Sequence, residues 1–464
     1  MKKILLLSIV LSFFLFADNS QAQLPNQNMY LLRNLNQHPS GQTLYSAIWG
    51  YRAPDGREYA ILGCATGTAF VDVTDSANIR EVGFVSGPSS NWREMKTYSH
   101  YAYIVSEANN SGVQIVDLQY LPDSVHFVKK FVPPQHSTTH TISQSGPYLY
   151  LSGANSSFVS NGGIAILDLT VDPETPVLRG KWTSFYVHDC RVVNDTIWTA
   201  NIYDGNISIV NATNKNSMST IATFSNLPGS GPHNTALTSN NKRLFVTDEI
   251  GTAPFRLKVW NIENVTSPVF VTAWQPTGIT TSIVHNIEIY GNFAVVAHYS
   301  AGVRILNISN PDVPVEIAWY DTYPSNNSEN YNGCWGVYML PSGKIIASDR
   351  QTGLYVLKTT FPLTDISSGI NGTIPDGFEL SQNYPNPFNP STSIGFEIPS
   401  NSQVSLKVYN MQGKEVAELV NDRRDAGRYE VKFDASKYGL SSGTYVYAIK
   451  AGRYSQSKKM TVVK

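Results

Sequence analysis

Four histidines, His140, His188, His233 and His285, recur at matching places in successive stretches of the chain, each ahead of a strand-like apolar run. The chain has nine histidines in all, so four in one register is a concentration. A neutral imidazole nitrogen ligates zinc, copper, iron or nickel, and three or four converging rings would make a metal site. A plainer arrangement also accounts for them: each ring hydrogen-bonds the backbone of a neighbouring unit. Side chains from opposite sides of a wide channel need not meet. Both readings stay open on sequence, with catalysis by the same rings as a third. His188-Asp189 adds a carboxylate of the kind that orients an imidazole, although neighbours along a strand point to opposite faces.

Where a histidine is missing, the same register offers Trp49, Arg93 with Glu94, and Cys334 with Trp335. The turns expected at that end of each unit add Glu107, Asn155, Asn201, Asp204, Asp248, Glu249, His298, Asp349 and Arg350. The expected ligand-binding set is therefore Trp49, Arg93, Glu94, Glu107, Asp248, Glu249, His298, Trp335, Asp349 and Arg350. The expected metal ligands are His140, His188, His233 and His285. Asp248-Glu249 is suited to a cation through oxygen ligands; the alternative is a solvated turn. The chain has no HExxH helix, Walker loop or EF-hand loop. Paired carboxylates for glycoside hydrolysis are not assignable, because their separation is three-dimensional. No catalytic residue is assigned. A divalent metal is the cofactor such histidines would take, and no other cofactor is indicated.

The elements that must hold these residues come from a repeat. An apolar strand ending in Asp or Asn occurs as AFVDVTD (Asp72), VQIVDLQ (Asp117), IAILDLT (Asp168), ISIVNAT (Asn211), LKVWNIE (Asn261) and VRILNIS (Asn307), with a truncated copy, GLYVLK, ending at Lys358. The marked residues are spaced 43 to 51 apart, a propeller-blade period in an all-strand pattern. The repeated Asp and Asn read as turn chemistry, their side chains bonding nearby backbone. Each unit reads as four strands, A to D, punctuated by Gly, Pro, Asn and Asp. Seven A strands are countable, but the last unit lacks a D strand. Residues 29–32 lack a hairpin partner, so they are expected to pair with strand C of the last blade and close the ring. That closure removes exposed edges. The fold class is all-β: a seven-bladed β-propeller over residues 23–358, a linker over 359–377, and a small Ig-like antiparallel β-sandwich over 378–464.

Composition sets the class of partner. The 464 residues carry a formal net charge of −1, and 15% are charged. No basic excess points to nucleic acid. Lys2 and Lys3, an apolar stretch over residues 4–16 and small residues before position 23 form a secretory signal over residues 1–22. No later stretch is long and apolar enough to span a membrane. Cys64, Cys190 and Cys334 are an odd set; three buried thiols, or a bridge between Cys64 and Cys334, both fit. The chain contains 26 tyrosines. Exposed Tyr and Trp suit protein or carbohydrate binding, whereas buried ones pack between blades. The longest D–A connection runs over residues 320–332, and long loops often carry function.

Two family resemblances add to this. NYPNPFNP at residues 383–390, VYNMQG at 408–413 and GTYVY at 443–447, with a terminal Lys, resemble the type A sorting domain of the type IX secretion system. That resemblance implies export across the outer membrane of a Gram-negative, Bacteroidota-like bacterium. It also implies recognition of residues 378–464 by the translocon and sortase, and a secreted or cell-surface location. Residues 28–358 resemble the choice-of-anchor B family of LVIVD-type repeats, through IWGY (48–51), GREYA (56–60), VHD (187–189), DTYP (321–324) and PSG (341–343). This resemblance implies the propeller and its anchoring and no settled activity. The function expected is a secreted or surface binding or scaffold protein. The alternative is a metal-dependent extracellular hydrolase or lyase using the histidines.

Overall fold

A computed structural model describes residues 26–39, 45–229, 231–363, 378–383, 385–398, 402–424, 427–452 and 454–463. The expected signal peptide and most of the expected linker lie outside the described residues. Seven antiparallel units form a closed β-propeller, six of four strands and one, blade 6, of five, because Asn26–Gln27 pairs with its outer strand. Their strands, A to D, are as follows. Blade 1 is Ile48–Arg52, Glu58–Cys64, Gly67–Asp72 and Arg80–Ser86; blade 2 is Arg93–Tyr98, Tyr101–Ser106, Val113–Asp117 and His126–Phe131. Blade 3 is Thr141–Ser145, Tyr148–Ser152, Ile164–Asp168 and Val177–Trp182; blade 4 is Asp189–Val193, Thr196–Ala200, Asn206–Asn211 and Ser219–Ser225. Blade 5 is Pro232–Leu237, Arg243–Asp248, Leu257–Asn261 and Val269–Trp274; blade 6 is Ile287–Tyr290, Phe293–Ala297, Val303–Asn307 and Val315–Tyr320. Blade 7 has Cys334–Met339, Lys344–Asp349 and Gly353–Thr359. Each A strand packs beside the A strand of the next blade, and that of blade 7 packs beside that of blade 1.

The missing strand comes from the other end of the chain. Met29–Leu35 pairs antiparallel with Gly353–Thr359, from Met29 opposite Thr359 to Leu35 opposite Leu354. A buried charge cluster fastens the same seam. Glu58 of blade 1 accepts hydrogen bonds from the Ser342 backbone N–H at 2.7 Å and from Lys344 Nζ of blade 7 at 3.4 Å.

The B and C strands carry continuous apolar runs because each is sandwiched between two blades. Ile164, Ile166 and Tyr150 of blade 3, for example, pack with Cys190, Ile197 and Val210 of blade 4. The turn after strand C is built by the repeated Asx residue. Asp72, Asp117, Asp168, Asn211, Asn261 and Asn307 each accept a hydrogen bond from the backbone N–H two residues on, at 2.8 to 2.9 Å. This is the Asx turn that the repeat implied.

The three cysteines are buried and free. Cys64 Sγ faces Leu62 O at 3.6 Å and Cys334 Sγ faces Gly336 O at 3.7 Å, so the bridge considered on sequence does not form. The C-terminal unit is a two-sheet sandwich. Glu379–Leu380, Ser391–Ile398 and Gly427–Asp434 form one sheet; Glu415–Arg424, Ser402–Tyr409, Gly443–Ala451 and Tyr454–Val462 form the other. Among the described residues no helix is long and apolar enough to cross a membrane.

Candidate metal centre at the channel mouth

His140, His188, His233 and His285 stand at the start of the A strands of blades 3 to 6. A strands converge on the propeller axis, so their first side chains crowd at one end of the channel. Successive rings have centroids 4.1, 4.3 and 4.0 Å apart, and all four are buried. His233 lies where the pairing register between its A and B strands shifts. Such an irregularity re-aims a side chain.

In three of the four rings Nδ1 bonds a neighbouring blade or the loop of one, and Nδ1 of His188 has no partner. His285 Nδ1 donates to Trp335 O at 2.5 Å, and His233 Nδ1 donates to His285 O at 3.2 Å. His140 Nδ1 contacts Glu107 Oε1 at 2.5 Å. These bonds tie each blade to a neighbour. They also put a proton on Nδ1 and leave an electron pair on Nε2 of His233 and His285, the pattern of a metal-ligating histidine with its second nitrogen held. Each Nε2 faces Glu249, which follows strand B of blade 5. His233 Nε2 lies 3.5 Å from Oε2, His188 Nε2 4.0 Å from Oε2, and His285 Nε2 3.6 Å from Oε1. His188, His233 and Glu249 bring one donor atom each within 4.8 Å of one another.

His285 Nε2 and His188 Nδ1 are buried without a hydrogen-bond partner. His140 Nε2 and His188 Nε2 share a hydrogen bond at 2.8 Å, one ring donating and the other accepting. Burial, then the neighbouring rings, push His188 and His285 well below the usual imidazole value, which keeps them neutral. Burial also opposes charge on His140, but the Glu107 carboxylate outweighs it and raises that pKa. A cavity of about 10 Å³ adjoins the rings, lined by His140, His233, His285, Glu94 and Asp189 among others. It has room for about one water or ion.

Tyr299, in the turn after strand B of blade 6, completes the cluster and was not among the sequence candidates. Its hydroxyl donates to Glu249 Oε1 at 2.8 Å, and its ring lies 4.6 Å from that of His285. Its backbone sits at φ 24°, a conformation that costs a bulky residue about 1–3 kcal/mol. Two contacts hold it there: Tyr299 O accepts from Gly302 N and from Cys334 N, each at 2.9 Å. Glycine is required beside that carbonyl, since a Cβ on Gly333 would fall 2.3 Å from it.

The remaining expected residues divide. Glu107 and Glu249 join the histidines. Trp335 gives its carbonyl to His285, and its ring carries the Arg350 guanidinium at 4.9 Å. Glu94 lines the cavity but is paired with Lys96 at 2.7 Å. Arg93 lines it as well, yet donates to Cys64 O at 3.2 Å and Pro88 O at 2.6 Å, binding one blade to the next. Asp248 is buried against Lys258 at 2.8 Å and is not a solvated turn; burial raises its pKa to about 6. Trp49 donates to Thr97 Oγ1 at 3.2 Å in the main core, His298 meets Ser282 Oγ at 3.1 Å, and Asp349 caps the backbone of Gln351 and Thr352. These last three are absorbed by the scaffold.

No curated protein matches the chain. Among solved structures it is similar to a putative 6-phosphogluconolactonase from Bacteroides uniformis, at 9% identity over 84% of this chain and 99% of that one, with a TM-score of 0.50. It is also similar to a catalytically inactive virginiamycin B lyase from Staphylococcus aureus with quinupristin, at 14% identity over 71% of this chain and 99% of that one, again with a TM-score of 0.50. At these identities the likeness is one of fold alone. The profile of the LVIVD repeat matches residues 283–322, which carry His285, His298 and Tyr299. The profile described as "Secretion system C-terminal sorting domain" matches residues 382–463. The propeller thus contains an LVIVD repeat over residues 283–322, and the sorting domain at residues 382–463 addresses the chain for secretion or the outer-membrane surface of a Bacteroidota-type bacterium.

Proposed function

We propose that the exported propeller binds a divalent transition-metal ion at its channel mouth, through His188, His233 and Glu249 with His140 and His285 beside them. The carrying observation is the gathering of the Nε2 atoms of His188, His233 and His285 within 4.0 Å of the one Glu249 carboxylate, with Nδ1 of His233 and of His285 spent on the neighbouring blade. A nitrogen-rich set with one carboxylate suits Zn²⁺ or Cu²⁺ over Ca²⁺ or Mg²⁺, which take oxygen ligands. Neutral imidazoles are already in the ligating state. The binding and scaffold function expected from the sequence then has a defined centre, and ligands reach it from the outer face, where Tyr203 and Tyr331 are exposed.

The test is metal analysis of the purified full chain after incubation with Zn²⁺ and removal of free ion. One equivalent per chain is expected. His188→Ala and His233→Ala should each lower affinity at least 100-fold while the far-ultraviolet spectrum stays that of an all-β protein. Wild-type protein that takes up no metal would end this reading.

A further inference from the structure

The histidines set where a cation would sit, but Glu249 has two oxygens and the chemistry depends on which is offered. Oε2 is the one nearest His188 and His233, at 4.0 and 3.5 Å. Oε1 is occupied by the Tyr299 hydroxyl at 2.8 Å. Arg350 stacks on the Trp335 ring at 4.9 Å, beside the Tyr299–Glu249 pair. The Tyr299 ring is wedged between the rings of His285 at 4.6 Å and Tyr331 at 5.4 Å. Its backbone is pinned by Gly302 and Cys334.

Resting on the metal reading above, we infer that Tyr299 is a positioning residue that sets metal selectivity: by holding Oε1 of Glu249 it forces one-oxygen ligation through Oε2. A carboxylate restricted to one oxygen fits the low coordination number of Zn²⁺. A carboxylate free to chelate with both oxygens adds a hard oxygen donor and favours Mn²⁺. The strained tyrosine thereby has a task that packing alone does not require. Phenylalanine would fill the same space without strain relief or loss of ring contacts.

The experiment is competitive titration of wild-type and Tyr299→Phe full-length chains with Zn²⁺ and Mn²⁺. The variant should bind Zn²⁺ 10- to 100-fold more weakly, the usual range for loss of such a partner, with Mn²⁺ affinity unchanged or improved, so that the Zn/Mn preference falls at least 10-fold. An unchanged preference, whether or not both affinities drop together, would overturn the inference and reduce Tyr299 to a structural role. Failure of wild-type protein to bind either ion would remove the metal reading and this assignment with it. If Tyr299→Phe does not fold, X-ray absorption of the Zn²⁺-loaded wild-type protein decides. One carboxylate oxygen at about 2.0–2.2 Å from zinc supports the inference, and two overturn it.

Discussion

Blades 3 to 6 and blades 7, 1 and 2 use the same four-strand plan and treat the channel mouth in opposite ways. In blades 3 to 6 a histidine opens the first strand; His140, His233 and His285 turn one nitrogen to a neighbouring blade or loop and one inward, whereas His188 turns Nε2 inward and leaves Nδ1 without a partner. In the other three, the residues at that end are Cys334, Ser46 and Arg93, and each spends its polar atoms on the scaffold. Cys334 Sγ contacts Gly336 O, Ser46 Oγ donates to Arg93 O at 3.1 Å, and Arg93 donates to two carbonyls. A propeller needs some inter-blade bond at every joint. Histidine is the one of these side chains that supplies that bond and still has a donor pair left for a ligand. The cluster is therefore confined to an arc and is not a full ring.

The strongest way to break this comparison is at Arg93. If its role is only to join blades, Arg93→Met should remove a hydrogen bond from the buried Cys64 carbonyl and one from the part-buried Pro88 carbonyl, at about 2 and 1 kcal/mol, for a loss of about 3 kcal/mol. Metal affinity should stay within about 3-fold of wild type. Thermal melting and Zn²⁺ titration of the same preparation check both halves. A folded Arg93→Met protein with lost metal binding would move Arg93 into the site and dissolve the distinction between the two arcs.

His298 tests the distinction within one blade. It follows strand B of blade 6, as Glu249 follows strand B of blade 5, yet it meets Ser282 and not the cluster. Burial, with the Arg304 charge next, lowers its pKa from the ordinary 6.5 to about 3. The sign follows directly. Below pH 6.5 the unfolded chain takes up a proton that the folded chain refuses, so stability is full above that pH and is lost as pH falls toward 3. By pH 4 the loss is about 3 kcal/mol from this group alone. His298→Gln, which keeps a hydrogen-bonding side chain against Ser282, should flatten the fall in melting temperature between pH 6.5 and 4 while leaving Zn²⁺ stoichiometry intact. His136, lowered by burial to about 4, contributes in the same direction and remains in the variant. An unchanged acid slope would contradict the neutral state assigned to His298.

The sequence exposed the parts of this molecule that are local. The Asx turns were readable because residue type and an i to i+2 hydrogen bond determine each other. The ring closure was readable because one unit lacked a strand and one strand lacked a unit. The four histidines were readable as a register. Their convergence was not, since it depends on how far each blade is rotated against the next. Trp49 lies within a regularly paired strand, three residues beyond Ser46, and spends its indole on Thr97. Asp349 pairs with Cys334 beside the irregularity at 334–336 and spends Oδ1 on the turn that follows it. Tyr299 left no signal at all. Its value comes from a strained φ and from a carboxylate 50 residues away in the neighbouring blade.

The smallest expected effect separates the two ends of the blades by the way their parts combine. Asn261 and Asn307 each hold one turn, through the N–H of Glu263 and of Ser309 at 2.9 Å. Asn261→Ala and Asn307→Ala should each cost about 1 kcal/mol. Because the turns share no partner, the double variant should lose the sum within about 0.5 kcal/mol. The mouth should behave otherwise. There the ligands act as one unit, so His188→Ala already removes most of the metal affinity, and adding His233→Ala takes away little more. Chemical denaturation of the turn variants, beside Zn²⁺ titration of the mouth variants, measures the contrast. Strong coupling between Asn261 and Asn307 would mean that the turns communicate across blades. Additive losses between His188 and His233 would mean that the two rings do not share one ion.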